Sequence, residues 1–260
     1  MSIISDGLII NNVYKEYTMI SGERLEILNN ISLHVNPGEF VSIIGPSGSG
    51  KSTFFNIISG VELPDSGDIL LEGESIIGRK GLVSYMPQQD HLLPWRTVLD
   101  NIILGLEIKG HNKKESRAKA YDHLETFGLL RFEQQYPHTL SGGMRSRAAL
   151  LRTLLLENQL LLLDEPFSAL DEITRMQMQQ WLLEIWARFR SMILFVTHSV
   201  DEAIYLSDRI YIFTEQPAAI MGEFRIDLPR PRNQEIMVSQ QFLEYKRLIL
   251  EDLTQSTYKT

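Results

Sequence analysis

The chain has 260 residues, of which 43% are hydrophobic and 22% charged, ordinary values for a folded globular protein with one large domain or a domain carrying an inserted subdomain. Its formal net charge of −8 argues against nonspecific nucleic-acid binding, which needs a basic surface, so we expect no nucleic-acid partner. The absence of cysteine from the sequence excludes disulfides and cysteine-ligated zinc.

Neither the start of the sequence nor its most apolar stretch is typical of a membrane-inserted segment. The opening residues, MSIISDGLIINN, have no positively charged region before an apolar core, so we expect no signal peptide. The run at residues 160–163 is far too short to span a bilayer. We therefore expect any link to a membrane to go through another protein.

The first predicted elements are strands. Short apolar runs alternate with polar turns over residues 8–35, which predicts antiparallel strands. Residues 40–44, FVSII, predict a strand that is buried on both faces. A glycine-rich loop and a helical pattern, KSTFFNIIS, follow it, and residues 64–73 predict a turn and a strand.

The pattern changes at about residue 96 and again after residue 156. Between these points the apolar residues recur at helical spacing, which predicts a helical insertion. Strand patterns return at residues 160–163, 192–197 and 209–213, with helical segments at 174–189 and 201–206 between them. This alternation predicts an α/β layer with a parallel sheet. Beyond residue 229 we expect a loop and one helix.

A phosphate-binding loop is predicted at residues 45–53, GPSGSGKST, which match GxxxxGK[ST] between a strand pattern and a helical pattern. Inward-turned backbone N–H groups and the positive end of the helix bind phosphate oxygens in such loops. Lys51 would place its charge at the β- and γ-phosphates, and the Ser52 hydroxyl would ligate Mg²⁺. An accidental glycine-rich surface loop does not account for this context. The predicted nucleotide-binding residues are Gly45, Pro46, Ser47, Gly48, Ser49, Gly50, Lys51, Ser52 and Thr53.

Two acidic residues, Asp164 and Glu165, follow the apolar run at residues 160–163. Both would be costly if buried and unpaired, whereas at the carboxyl end of a strand they would face the crevice where α/β sheets bind ligands. Asp164 suits Mg²⁺, directly or through water, and Glu165 can polarise an attacking water. Taken alone, the pair also fits an acidic turn after a strand; the phosphate loop favours the catalytic interpretation.

His198 follows the strand pattern MILFVT and precedes a helical pattern. A lone histidine at a strand end is more often structural than catalytic. At the end of a second strand of the same sheet, a neutral imidazole could donate a hydrogen bond to the γ-phosphate and orient Glu165 and water.

Four segments, GPSGSGKST, LSGG, LLLLDEPFSALD and VTHSVDEA, stand in the order and spacing found in the ATPase subunits of ABC transporters. The chain resembles that family over almost its whole length. The resemblance implies an α/β fold of the P-loop NTPase type, the ABC cassette, with a RecA-like core, an antiparallel β subdomain and an inserted helical subdomain. It implies a cassette over residues 1–230 with the helical subdomain at about 96–156, and a C-terminal tail helix within residues 231–260. ATP and Mg²⁺ are the implied cofactors.

The same resemblance implies roles for individual residues of the site. Tyr17 resembles the aromatic residue that stacks on adenine, although a strand aromatic in the core is the alternative. Gln88 resembles the glutamine that senses Mg²⁺ and the attacking water; Gln89 is a rival, but Pro94 lies at the family's spacing from Gln88. Asp171 resembles the aspartate at the seam between two cassettes.

Glu165 and His198 match the family's catalytic pair. Two departures from the family pattern, Ser146 between two arginines and Ser199 after the histidine, remove no catalytic group.

The LSGG segment (residues 140–143) has an implied role outside its own subunit. In the family this segment caps the γ-phosphate of ATP that the facing subunit's phosphate loop holds. Ser141, Gly142 and Gly143 would supply a hydroxyl and backbone N–H groups, and glycine lets the backbone reach the phosphate. The resemblance thus implies two subunits that ATP joins head to tail, and we expect a homodimer.

Longer segments resemble one importer branch, which serves nitrate, bicarbonate, taurine, alkanesulfonates and pyrimidine precursors of thiamine. They are SGVELPDSGDILLEG, LLPWRTVLDN and DEPFSALDEITRMQMQQWL, and SYMPQQDHLLPWRTVLDN with RSRAALLRTLL resembles the thiamine-precursor members. The implied partners are a membrane permease and, indirectly, a substrate-binding protein. The implied location is peripheral, at the cytoplasmic face of the cell membrane.

The segment at residues 88–101 is predicted to contact the permease. Trp95 follows Pro94 in a loop-like stretch, where exposed aromatic residues often anchor interfaces. The alternative is that Trp95 packs into the helical subdomain's own core. Since this region does not touch the solute, the transported compound stays open.

Two other classes of ABC protein share the catalytic motifs. One is the ATPase of an exporter or lipoprotein-release complex, against which the LLPW segment and the DEPFSALD context argue. The other is a soluble ABC protein that acts on DNA or ribosomes; such proteins carry a long coiled coil or two cassettes. Neither feature is present in this acidic sequence.

Overall fold

The computed structural model describes residues 7–257. Residues 1–6, which belong to the segment where we expect no signal peptide, lie outside the described residues. The strands are β1 (Leu8–Thr18), β2 (Arg24–Val35), β3 (Phe40–Ile44), β4 (Ser66–Leu71), β5 (Glu74–Ser75), β6 (Ser84–Met86), β7 (Leu160–Asp164), β8 (Met192–Val196), β9 (Arg209–Phe213) and β10 (Ile220–Arg225). The α-helices are α1 (Lys51–Ile58), α2 (Val98–Ile102), α3 (Leu104–Ile108), α4 (Lys113–Leu124), α5 (Gly142–Leu154), α6 (Glu172–Phe189), α7 (Val200–Leu206) and α8 (Gln240–Thr257). Short 3₁₀ helices span Pro137–Thr139 and Gln234–Val238.

The strands form two sheets. The first has the order β2-β1-β4-β5 and is antiparallel, which confirms the prediction for residues 8–35. The second has the order β10-β9-β3-β8-β7-β6, and its strands pair in parallel except for β10. This sheet is the predicted α/β layer, and the carboxyl ends of β3, β6, β7 and β8 share one edge.

The central strands are apolar throughout because both of their faces are buried. In β7, Leu160 and Leu162 face a core shared with the antiparallel sheet and α1. Leu161 and Leu163 face a second core that the helices after β6 cover. All five residues of β7 are buried, so Asp164 ends the strand inside the protein.

The predicted helical block contains α2 to α5, and three of these helices begin at a residue whose side chain caps them. Thr97, Asn112 and Ser141 accept backbone N–H hydrogen bonds at the N-termini of α2, α4 and α5. The apolar sides of these helices pack into the second core.

The tail helix α8 packs on this core rather than standing apart. Phe242 and Ile249 are buried in it, and Lys246 pairs with Asp201 of α7 at 2.8 Å. The boundary predicted at residue 230 stays a prediction. Within residues 7–257, no helix combines the length and apolar character needed to cross a membrane.

Candidate active site

The phosphate loop connects the buried end of β3 to the first turn of α1. Gly48 and Gly50 have φ angles of 78° and 93°, in the left-handed region that favours glycine. A Cβ on Gly45 would lie 2.8 Å from the Phe213 carbonyl oxygen, so this position also requires glycine. Gly50 gives α1 no side-chain cap, which leaves the first N–H groups of the helix to an anion. The loop therefore fits a phosphate group.

Lys51 lies folded over this loop. Its Nζ donates to the carbonyl oxygens of Gly45 (2.9 Å) and Pro46 (2.6 Å) and to the Ser49 hydroxyl (3.1 Å). Burial lowers the pKa of Lys51, and the nearby Glu165 carboxylate opposes that shift. The ammonium group thus lies where it can exchange backbone acceptors for phosphate oxygens.

Ser52 and Asp164 meet directly, as the predicted magnesium ligands should. The Ser52 hydroxyl donates to Asp164 Oδ2 at 2.8 Å. Asp164 is 2% exposed, and burial raises its pKa, because a lone buried carboxylate is costly. Among the described residues no group of three or more His, Cys, Asp or Glu side chains could hold a metal by itself. A hydroxyl and one carboxylate fit Mg²⁺, whose remaining ligands are typically water and phosphate oxygens.

Glu165 is the meeting point of the predicted catalytic residues. Gln88 Nε2 donates to Glu165 Oε2 at 3.2 Å, and His198 Nδ1 lies 3.3 Å from Glu165 Oε1. The three residues follow the neighbouring strands β6, β7 and β8, so the sheet order brings them together.

The backbone of Glu165 has an unusual conformation for a residue with a side chain. Its φ angle is 48°, in the left-handed region. Its N–H donates to the Val196 carbonyl oxygen at 2.9 Å, and the Ser168 hydroxyl donates to the Glu165 carbonyl oxygen at 2.9 Å. These bonds offset the cost of the conformation and fix the direction of the carboxylate.

Tyr17 lies near the end of β1 and is 39% exposed, so the alternative that it packs in the core is wrong. Its hydroxyl donates to Glu62, and the Lys15 ammonium lies 5.3 Å from its ring centroid. Burial and the Glu62 carboxylate raise the pKa of Tyr17 to about 12, while Thr53 opposes this rise. These neighbours hold the Tyr17 side chain at the surface, and stacking on adenine stays a prediction.

The LSGG segment forms the start of α5. The Ser141 side chain accepts a hydrogen bond from the Met144 N–H at 3.3 Å. A Cβ on Gly143 would lie 3.1 Å from Leu170 Cδ2, whereas one on Gly142 would meet only Arg145 at 3.8 Å. Packing within the subunit thus gives a reason for glycine at 143 and none at 142. The predicted contacts with the facing subunit's ATP stay a prediction.

Asp171 has a structural role within its own chain. Its carboxylate accepts a hydrogen bond from the Thr174 N–H at 3.0 Å and caps α6. That hydrogen bond lowers the pKa of Asp171, which is exposed to solvent. Helix capping accounts for an aspartate here, and its predicted place at the seam stays a prediction.

The segment at residues 88–101 is held by side chains that the sequence did not single out. Arg145 Nε lies 3.0 Å from Asp90 Oδ2, and Arg152 donates to the Asp90 carbonyl oxygen at 2.6 Å. Asn101 is fully buried and donates to three carbonyl oxygens of the segment, those of Leu93, Arg96 and Thr97. The polar residues were visible in the sequence, but their partners were not.

Trp95 projects from this fixed segment and is 72% exposed. The alternative that it packs into the helical subdomain's core is therefore wrong. An exposed tryptophan on a rigid loop is typical of a protein interface.

A phosphate loop, a buried aspartate beside its serine, and a glutamate held between a glutamine and a histidine define a P-loop nucleoside triphosphatase. The family described as ABC transporter matches residues 28–168 of the chain. An uncharacterised ABC transporter ATP-binding protein of Methanocaldococcus jannaschii is 44% identical over 92% of this chain and 89% of its own length. The chain belongs to the ABC transporter family and is an ATP-binding, ATP-hydrolysing cassette.

Further relatives and a solved structure agree with this assignment. The chain is 40% identical to a formylaminopyrimidine import ATP-binding protein, ThiZ, of Halalkalibacterium halodurans, over 92% of this chain and 93% of that protein. It is 39% identical to a nitrate import ATP-binding protein, NrtD, of a Synechocystis strain, over 84% of each chain. The dimeric structure of the bacterial ABC transporter cassette MJ0796 superposes with a TM-score of 0.78 at 30% identity, covering 85% of this chain and all of that one. The predicted cassette fold and family are confirmed.

Proposed function

We propose that this chain is the ATPase subunit of an importer for a small solute, and that two copies act together beneath a membrane permease. The observation that carries the proposal is the exposure of Trp95. This residue lies on a segment whose first residue, Gln88, donates a hydrogen bond to the carboxylate of Glu165. The likeness to import ATP-binding proteins over nearly the whole chain supports the direction of transport.

The site supports hydrolysis through a division of roles. Lys51 and the first N–H groups of α1 bind and hold the phosphates of ATP. Mg²⁺, when bound by Ser52 and Asp164, supplies charge that stabilises the transferring phosphoryl group. Glu165 accepts a proton from the attacking water, and His198 orients that water and the γ-phosphate.

The segment at residues 88–101 connects this chemistry to the permease. Gln88 lies against Glu165 at one end, and Asn101 locks the backbone of the segment at the other. A displacement of the permease surface at Trp95 would therefore move Gln88 rather than be absorbed by a flexible loop. ATP turnover and solute passage are coupled through this segment.

A second copy of the chain completes each site. Ser141 is exposed at the tip of α5, where a facing subunit's nucleotide could reach it. The cassette MJ0796, whose fold this chain shares, is described as dimeric. We infer a homodimer at the cytoplasmic face of the membrane, with a substrate-binding protein on the other side of the permease.

The experiment uses Trp95→Ala together with the permease identified from the neighbouring genes. Truncating a core tryptophan costs about 3–5 kcal/mol, whereas a side chain that is 72% exposed should be lost with little change in melting temperature. We expect Trp95→Ala to hydrolyse ATP alone as the wild type does and to fail to copurify with the permease. The matched control is Phe189→Ala, which removes another exposed aromatic side chain, 58% exposed, at the far end of α6.

Assembly of Trp95→Ala with the permease at wild-type yield would reject the proposed contact. The direction of transport is tested with the wild-type complex in lipid vesicles that contain ATP inside, on the side of the cassette. Import predicts that the solute-loaded binding protein stimulates ATP hydrolysis only from outside. Stimulation by solute from the cassette side would instead indicate an exporter. Formylaminopyrimidine, nitrate and an alkanesulfonate are the solutes to compare.

A further inference from the structure

Glu202, a largely buried carboxylate that is not among the predicted catalytic residues, lies four positions after His198 in the chain. It belongs to the first turn of α7, and its side chain is 12% exposed. Its Oε2 accepts a hydrogen bond from the Thr197 hydroxyl at 2.6 Å, and its Oε1 accepts one from Gln179 at 3.0 Å. Helix capping does not account for these contacts, because Ser199 already caps α7.

Hydrogen bonds of the Thr197 side chain connect Glu202 to the backbone next to His198. Thr197 is 2% exposed and directly precedes His198. Its Oγ1 accepts the Ser199 N–H at 3.0 Å while its hydroxyl proton goes to Glu202. The two bonds thus join Glu202, through Thr197, to the backbone N–H that follows His198.

Arg175 connects the same carboxylate to the loop before α6. Arg175 Nε lies 3.9 Å from Glu202 Oε1, and its Nη2 donates to the Leu170 carbonyl oxygen at 2.9 Å. Leu170 in turn packs against Gly143 of the LSGG segment, where an added Cβ would lie 3.1 Å from Leu170 Cδ2. Glu202 thus contacts both Thr197, the neighbour of His198, and Arg175, which reaches the loop that packs against the LSGG segment.

We propose that Glu202 is a positioning residue for ATP hydrolysis, which acts on His198 through the Thr197 hydroxyl. Through Arg175 it also ties His198 to the Leu170 loop, so that the catalytic histidine and the LSGG segment keep a fixed relation. Burial raises the pKa of Glu202, while its hydrogen bond with Thr197 and the charge of Arg175 oppose that shift. This inference rests on ATP hydrolysis by the cassette and not on the proposed import of a solute.

The test compares steady-state ATP hydrolysis by the free full-length chain carrying Glu202→Met, which has a similar length but no acceptor for the Thr197 hydroxyl, Thr197→Val, or both. Either single change should lower kcat about tenfold, the size of one lost charge-assisted hydrogen bond, and leave the KM for ATP within about twofold. Because both changes break the same link, the double variant should be no slower than the slower single variant. Thr197→Ser keeps the hydroxyl and should retain wild-type kcat. Glu184→Met, on the solvent side of α6, is the control for loss of a carboxylate.

A second measurement separates positioning from general stability. In a His198→Ala background, Glu202→Met should cause no further loss of kcat, since the residue on which it acts is gone. Three outcomes would overturn the proposal. One is a double variant whose fall in kcat equals the product of the two single falls. The others are a raised KM for ATP and a fall in kcat that parallels a fall in melting temperature. If Glu202→Met does not fold, the contrast between Thr197→Val and Thr197→Ser decides whether the proposal stands. Permease assembly through Trp95 is measured separately, so failure here leaves the proposed function standing.

Discussion

Asp90 and Arg145 form an ion pair in which Oδ2 and Nε lie 3.0 Å apart. Asp90 belongs to the segment that begins at Gln88, and Arg145 belongs to the first turn of the helix that Ser141 caps. Arg145 also donates to the Leu140 carbonyl oxygen at 2.9 Å. The predicted permease contact and the LSGG segment are thus joined by one side-chain pair within the subunit.

Breaking this pair should weaken coupling without harming the active site. The side chains of Asp90 and Arg145 are 29% and 36% exposed, so the pair contributes about 0.2–1 kcal/mol. We expect Asp90→Asn to leave the ATPase rate and the melting temperature of the free cassette nearly unchanged. Stimulation of that rate by the assembled permease should fall by about 1.4-fold to 5-fold, the factor to which that energy corresponds. Comparison of ATPase rates with and without the permease measures this.

The control for Asp90→Asn is Asp122→Asn, which removes an exposed aspartate from α4 of the same helical block. A permease-stimulated rate equal to that of Asp122→Asn would show that the Asp90–Arg145 pair carries no coupling.

We predict that the ring of Tyr17 stacks on the flat adenine base, so that the ring rather than the hydroxyl should determine the affinity for ATP. Loss of one aromatic platform under a base costs about 1–3 kcal/mol. Tyr17→Ala should therefore raise the Kd for ATP by about 5-fold to 150-fold, with kcat unchanged at saturating ATP. Tyr17→Phe loses the hydrogen bond to Glu62 but keeps the ring, so its affinity should stay near that of the wild type. Calorimetric titration with ATP would measure both; equal losses in the two variants would assign the role to the hydroxyl.

Glu165→Gln should separate ATP binding from ATP hydrolysis. The amide keeps the size of the side chain but cannot accept a proton, and loss of a general base slows a reaction by about 10²–10⁴. Lys51, Ser52 and Asp164 are unchanged, so ATP should still bind. With ATP uncut, the variant should accumulate as a dimer on size exclusion with ATP and Mg²⁺, and chelation of Mg²⁺ should return it to monomers. Normal turnover would move the base elsewhere, with His198 as the next candidate.

The parts of the site that the sequence predicts are those with local causes. The glycines of GPSGSGKST predict the phosphate loop. The four leucines at residues 160–163 predict a buried strand. His198 was expected near Glu165 because each follows a strand of the same sheet. The place of Gln88 was implied only through the family resemblance, because it depends on β6 being the neighbour of β7.

Other features are not visible in a single sequence because their causes are distant. Asp90 and Arg145 are 55 positions apart, and nothing local in either segment selects the other. Glu202 shows as an ordinary acid in the first turn of a helix until Thr197 and Arg175 are placed around it. Strands β6 and β10 were not predicted: β6 has three residues, and β10 is only half-buried at the edge of the sheet, so neither has a strong pattern.

The role of Ser141 across the seam can be tested with a mixed dimer in which one subunit carries Lys51→Ala and the other Ser141→Arg. Ser141 is exposed, so an arginine should be accommodated in the free subunit at the cost of the helix cap, about 1 kcal/mol. If the segment acts in trans, both changes fall in one composite site. The other site then joins an intact Lys51 to an intact facing Ser141.

The two arrangements predict different amounts of bound nucleotide. Action in trans predicts one ATP per mixed dimer with near-native affinity, because one composite site is untouched. Action in cis predicts none, because each subunit then carries its own lesion. Ser141→Ala, which loses the cap but adds no bulk or charge, replaces Ser141→Arg as the control and should retain binding at the intact site. A stoichiometry near zero in the mixed dimer, with both single-variant homodimers also unable to bind ATP, would reject action in trans.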